Sequence, residues 1–215
     1  MTDNFKNYRE FIELQGGLPK DNEKGTLDKY YVIEIMRRGK DNPDLPAANV
    51  HFKNYYIYSW RDYEKYENEI KIICKMFKMR AYASVNYKMM SQVALDTMAE
   101  SARRIAAHDY KKFYNIFESC SGKYKDKGNN LWIIDLDKED FERNPNIIQD
   151  IKEIINSCLP LNKEKIVKII PTRSGKHIIT TAFNKMDFNN KYKKMFGIDA
   201  PNIKENHLTL LFEDL

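Results

Sequence analysis

The sequence predicts an α+β fold: an antiparallel, ferredoxin-like (RRM-type) sheet with an N-terminal αβ elaboration. Three observations carry that expectation. Residues 131–213 run through strand and helix patterns in the order β-α-β-β-α-β, the split βαβ arrangement. The strand-like segments before them include an adjacent pair joined by a polar loop, which suits antiparallel pairing. A length of 215 residues is enough for one well-buried core. The expected organisation is one domain over 1–215, with the elaboration at 1–79 and the catalytic-type core at 80–215.

Composition removes several function classes. Hydrophobic residues at 42% and aromatics at 13% are not those of a disordered chain. No apolar run approaches the roughly 18 residues of a membrane span. The start, MTDNFKNYRE, lacks the basic-then-apolar order of a signal peptide, so a cytoplasmic protein with no membrane partner is expected. Cys74, Cys120 and Cys158 are scattered and form no CxxC pair, which disfavours a disulfide framework or a zinc site. A net charge of +5 fits an acidic partner such as nucleic acid or a nucleotide without requiring one.

Along the chain, DKYYVIEIMRR (28–38) and VHFKNYYIYS (50–59) alternate and are rich in β-formers, so they read as an antiparallel pair around the loop 37–49. Ser59 is a plausible N-cap for a helix with apolar positions at Tyr63, Tyr66, Ile70, Ile73, Cys74 and Phe77. RAYASVN (80–86) reads as a buried strand. A long helix from about Ser91 to Ala107 carries Val93, Ala94, Met98, Ala102 and Ile105 on one face, and a second helical stretch covers Tyr110 to Phe117. A polar loop, GKYKDKGNN (122–130), follows.

LWIIDLD (131–137) is a short apolar run ending in acids, the pattern of a buried strand whose end meets solvent. Asn144 and Pro145 suit the start of a helix through Ser157. KIVKIIP (165–171) and KHIITTAF (176–183) are strands separated by the turn TRSG. A helix around Phe188 to Lys194 and a last strand at 207–213 complete the order. Helices are expected on one face of this sheet, with the other face open to a ligand.

Asp135 and Asp137 stand two apart on a strand and therefore share a face. Adjacent carboxylates repel, and a divalent ion removes the repulsion; oxygen ligands of this type suit Mg²⁺ or Mn²⁺. The plainer alternative is a polar strand end running into the acidic KEDFE. In PTRSGKHIIT (171–180), Gly175 permits close backbone approach, while Arg173, Ser174, Lys176 and His177 offer donors to phosphate. It is not a Walker A loop, and an ordinary polar hairpin tip is the competing reading.

Together the two elements resemble the archaeo-eukaryotic primase superfamily, in particular its small primase–polymerases of phage or mobile-element type. The hhhDhD strand motif of that family is matched by Trp132-Ile133-Ile134-Asp135-Leu136-Asp137, and its SGxxH-like turn by Ser174-Gly175-Lys176-His177. Its third motif, a hydrophobic residue followed by an acid, finds its nearest match in Ile198-Asp199, with Glu213 and Asp214 as weaker candidates. RAYASVN resembles the strand and polar turn that precede the first motif, which would bring Arg80 and Asn86 near the site. The resemblance spans about residues 80–213.

What it implies is two-metal nucleotidyl transfer on a single-stranded template. Asp135, Asp137 and Asp199 would hold Mg²⁺ or Mn²⁺, and Arg173, Ser174, Lys176 and His177 would bind the nucleoside triphosphate. A replicative helicase is the expected partner of such a stand-alone primase. Tyr82, Tyr87, Lys88, Arg103 and Arg104 are template candidates, although solvated helix faces and core tyrosines describe them more simply. Three other readings remain open: a catalytically silent nucleotide- or nucleic-acid-binding relative, a metal-dependent nuclease using Lys138 beside the acids, and a protein-interaction module.

Overall fold

The computed structural model describes residues 1–21, 28–39, 41–43, 48–124, 130–161 and 164–214. Parts of two expected loops, 40 and 44–47 in the first and 125–129 in the second, lie outside the described residues. The fold is α+β with antiparallel sheets. In chain order the elements are β1 (Thr2–Asp3), α1 (Phe5–Leu14), β2 (Lys29–Arg38), β3 (Asn49–Ile57), α2 (Trp60–Phe77), β4 (Arg80–Ser84), β5 (Lys88–Met89) and α3 (Met90–Ala106). After a 3-10 turn at Phe113–Asn115 come α4 (Ile116–Lys123), β6 (Leu131–Leu136), α5 (Lys138–Arg143), α6 (Ile147–Asn156), β7 (Ile166–Pro171), β8 (Lys176–Thr181), α7 (Lys185–Phe196), β9 (Ile203–Glu205) and β10 (Leu208–Glu213).

Two sheets result. The first has the order β1-β10-β4-β2-β3, with β5 paired to β2; the second has the order β7-β8-β6-β9. The final strand departs from expectation. β10 does not close the second sheet but crosses to the first, where it lies between β1 and β4, and the three-residue β9 takes its place beside β6. The first sheet therefore draws strands from both sides of residue 79.

The alternation along β6 explains how the sheets meet. Trp132, Ile134 and Leu136 pack with Ile147, Ile151 and Ile155 of α6 and Phe188 and Tyr192 of α7. Leu131 and Ile133 point the other way and share a core with Ile179 of β8, with Tyr8 and Phe11 of α1, and with Ile33, Ala81 and Ala83 of the first sheet. The face expected to be open is thus largely closed by the N-terminal half. Asn4, fully buried, locks this junction by donating to the carbonyls of Pro171 (2.8 Å) and Leu210 (2.9 Å). Asn86 adds a second lock at the start of β6, accepting from the Leu131 N–H (2.8 Å) and donating to its carbonyl (3.0 Å).

Local signals mostly decide the elements. Ser59 caps α2 by accepting from the Asp62 N–H at 3.1 Å. The helix after β7–β8 ends at Gly197 in the left-handed region (φ 71°), a conformation that glycine adopts without steric cost. Differences arise where polar residues compete for caps. Asp137 begins the unexpected α5, its N–H donating to Asp140 Oδ2 (2.9 Å) and its side chain facing the Asp140 N–H in a capping box. The next helix starts at Ile147 rather than at Pro145, and α4 starts at Ile116 rather than Tyr110. No helix among the described residues is long and apolar enough to cross a membrane.

Candidate functional site

Where the sheets part, at the end of β6 and the start of β8, lies a cleft of about 480 Å³. The second sheet lines it with Asp135, His177 and Lys204, the β7–β8 turn with Arg173 and Ser174, and the N-cap of α5 with Asp137. The first sheet contributes Arg38, Arg80 and Tyr82. Basic side chains thus face the two carboxylates from both walls.

The β6–β8 ladder sets the centre of the site. Asp135 is paired directly with His177 in the antiparallel register, so both side chains emerge on the cleft face. His177 Nε2 lies 3.2 Å from Asp135 Oδ1, and Nδ1 lies 3.0 Å from the Thr209 hydroxyl of β10. With Asp135 ionised, Nε2 is assigned the proton, and in the neutral ring Nδ1 accepts from Thr209. The other Asp135 oxygen, Oδ2, accepts from Lys204 Nζ at 2.5 Å. The hydrogen bond from His177, reinforced by Lys204 against the opposing effect of burial, holds the Asp135 carboxyl well below the usual carboxylate range.

The turn between β7 and β8 is pressed against the acid strand by Gly175. A Cβ there would sit 1.8 Å from the Leu136 carbonyl oxygen and 3.1 Å from Asp137 Cα. Gly175 does not have positive φ, so the requirement is for space rather than for an unusual backbone conformation. Thr172 closes the turn: its N–H donates to the Gly175 carbonyl (2.9 Å), and its Oγ1 accepts from the Gly175 N–H (3.1 Å). Arg173 and Ser174 are thereby displayed, exposed, beside Asp137.

On the opposite wall Arg80 is buried, with Nη2 on Asp41 Oδ1 (2.8 Å) and Nη1 on Glu213 Oε2 (3.1 Å). Arg173 reaches the same Asp41 oxygen at 3.4 Å. Arg80 Nε and Asp41 Oδ2 are buried without a hydrogen-bond partner among the described residues. Arg38 donates to the Tyr82 hydroxyl at 3.2 Å.

Of the expected site residues, Asp135, Asp137, Arg173, Ser174 and His177 meet in the cleft. Two do not. Lys176 alternates to the opposite face of β8, where its ammonium lies 5.5 Å from the centre of the Phe141 ring. Asp199 lines a separate depression with Asn189 and Asn190, is 89% exposed, and pairs with Lys193 at 3.0 Å. Asn86 holds the far end of β6 rather than the site. Among the template candidates, Tyr82 lines the cleft, Tyr87 packs on Tyr31, Lys88 is buried, and Arg103 and Arg104 are paired with Glu100. Of the alternatives for the third acid, Glu213 is held by Arg80 and Asp214 by Lys75. Lys138, considered as a nuclease lysine, is paired with Glu142.

The fit to metal follows from these positions. Asp135 and Asp137 supply hard oxygen donors of the kind that suits Mg²⁺ or Mn²⁺. Among the described residues no group of three or more His, Cys, Asp or Glu is arranged to hold a metal ion. Asp135 and Asp137 are the expected carboxylates that the cleft brings together, and each Asp135 oxygen already accepts from a neighbouring side chain. Lys204 was not foreseen, because its strand of three residues carries too little alternation to be read. No family model, curated protein or solved structure matches the chain.

Proposed function

We propose that the chain is a primase–polymerase-like nucleotidyltransferase, active in the cytoplasm, whose cleft takes a nucleoside triphosphate beside a single-stranded nucleic-acid template. The observation that carries this reading is the meeting of Asp135, Asp137, Arg173, Ser174 and His177 in one cleft, from two sequence segments 36 or more residues apart. The antiparallel order β7-β8-β6-β9 supports it, since a split βαβ arrangement would order its strands in this way. In this reading Arg173 and Ser174 bind phosphate oxygens from the turn, with Arg38 facing them across the cleft. Asp135 orients His177 through Nε2, and Thr209 holds the other nitrogen, so the ring presents one tautomer. Asp137, with Asp135, would hold a divalent ion, which when bound polarises phosphate oxygens and stabilises charge leaving with pyrophosphate.

A silent, nucleotide-binding relative is the second reading, favoured by Asp199 lying outside the cleft and by the occupation of both Asp135 oxygens. Incubation with single-stranded template, Mn²⁺ and nucleoside triphosphates separates the two. Synthesis of short complementary products, lost in Asp135→Ala, Asp137→Ala and His177→Ala, supports transfer. Nucleotide binding without synthesis supports the silent relative, and template degradation lost in the same aspartate variants supports a nuclease.

A further inference from the structure

Asp135 lines the cleft, and each of its oxygens already accepts a hydrogen bond. One accepts from His177 and the other from Lys204. Lys204 is held there by the sheet. β9 pairs Lys204 with Ile133, two residues before Asp135, so Lys204 and Asp135 stand on the same face of neighbouring strands. The Asp135 N–H donates to the Asn202 carbonyl (3.1 Å) and extends this pairing to the level of the acid. The next residue, Glu205, faces the opposite side and pairs with Lys185, which leaves Lys204 as the β9 cation on the cleft face.

A single ammonium placed this way does two things. It neutralises Asp135, removing the repulsion between Asp135 and Asp137 that would otherwise call for a divalent ion. The pair then adds no net negative charge to a cleft edged by Arg38 and Arg173. Arg80 adds little to that field, being held by Asp41 and Glu213. A polyanion entering the cleft meets Arg38 on one wall and, on the other, the exposed Arg173, whose contact with Asp41 is 3.4 Å long.

We propose that Lys204 is an internal counter-ion that substitutes for one divalent metal, so that the cleft binds the polyphosphate of a nucleotide without metal. This rests on the reading of the cleft as a nucleoside triphosphate site. On contact with phosphate the ammonium can be shared between Asp135 and the incoming oxygens, since a lysine has three donors and a flexible stem. Any divalent ion then serves at Asp137, beside the Lys204 charge rather than in its place. Lys204 acts as a positioning residue for Asp135 and as a ligand-binding residue for phosphate.

The test is calorimetric titration of ATP into the full chain, once in EDTA and once in Mn²⁺. Wild type is expected to bind in EDTA within about threefold of its affinity in Mn²⁺. Lys204→Ala should lose tenfold or more in EDTA and regain most of it in Mn²⁺, as the ion restores the missing charge. Lys204→Arg, which keeps the charge, should bind in EDTA like wild type, and circular dichroism of each variant confirms folding. Wild type that binds only with Mn²⁺, or Lys204→Ala that binds as well as wild type in EDTA, overturns the counter-ion role and leaves the nucleotide reading standing. No ATP binding by wild type under either condition ends both.

Discussion

Gly175→Ala perturbs the contact that brings the turn between β7 and β8 to the strand carrying Asp135. The added Cβ would meet the Leu136 carbonyl oxygen at 1.8 Å, where ordinary contact begins at 3.4 Å. The two backbones must therefore separate by roughly 1.6 Å, because the obstructing atoms are main chain and cannot rotate away. Overpacking of this kind costs about 1–3 kcal/mol and occasionally more. For a chain of this size that corresponds to a fall in melting temperature of roughly 2–12 °C. A displacement of about 1 Å at a binding centre can cost on the order of 100-fold in activity, so nucleotide affinity should fall as well. The assay is thermal unfolding by circular dichroism together with ATP titration. Ser174→Ala, at the exposed tip of the same turn, is the control, with stability expected within about 0.5 kcal/mol of wild type. A Gly175→Ala protein that melts and binds ATP like wild type would refute the close approach and the assembly of the site through it.

Two further perturbations follow from the charges of the cleft. Arg80→Met removes the buried guanidinium that pairs with Glu213 and leaves Asp41 only the exposed Arg173 at 3.4 Å; breaking a buried pair in this way costs about 3–5 kcal/mol, and an unchanged denaturation midpoint would remove Arg80 from its structural role. The Asp135 carboxyl is held below its ordinary value by His177 and then Lys204, so its charged form stabilises the fold above about pH 4, and that contribution is lost as the pH falls toward the folded-state value. Asp135→Asn should accordingly flatten the acid side of the stability profile measured by denaturant unfolding from pH 6 to pH 3, and a slope identical to wild type would contradict the pairing.

Strand pairs and site residues close in sequence were legible because their signals are local. Alternation in 28–38, 50–59 and 131–137 placed β2, β3 and β6 within a residue or two, and the period of two placed Asp135 with the cleft. The same period sends Lys176 to the helix side, one position from His177, so a turn read as a cluster of donors divides between two faces. What escaped depended on contacts distant in sequence. α1 carries an amphipathic pattern, with Phe5, Tyr8, Phe11 and Ile12 buried, but its place between the sheets is set by Asn4 bonding to residues 171 and 210. β10 has a strand pattern that suits either sheet, and only its pairing with β4 and β1 decides the matter. The apolar stripe read along α3 is mostly solvent-facing: Val93 is buried, whereas Met98 and Ile105 are 69% and 52% exposed. Asp199 follows a hydrophobic residue, as a third acid should, yet Gly197 ends its helix and turns it toward Lys193.

The cleft between the sheets is the proposed nucleotide site. A crystal structure of the protein with Mn²⁺ and a non-hydrolysable nucleoside triphosphate tests that most directly. The triphosphate is expected in the cleft, against Arg173 and Ser174 on one wall and within reach of His177 and Lys204, with any Mn²⁺ on Asp137. A nucleotide seated elsewhere, or an empty cleft at saturating concentration with the turn and Asp135 free of lattice contacts, would contradict it.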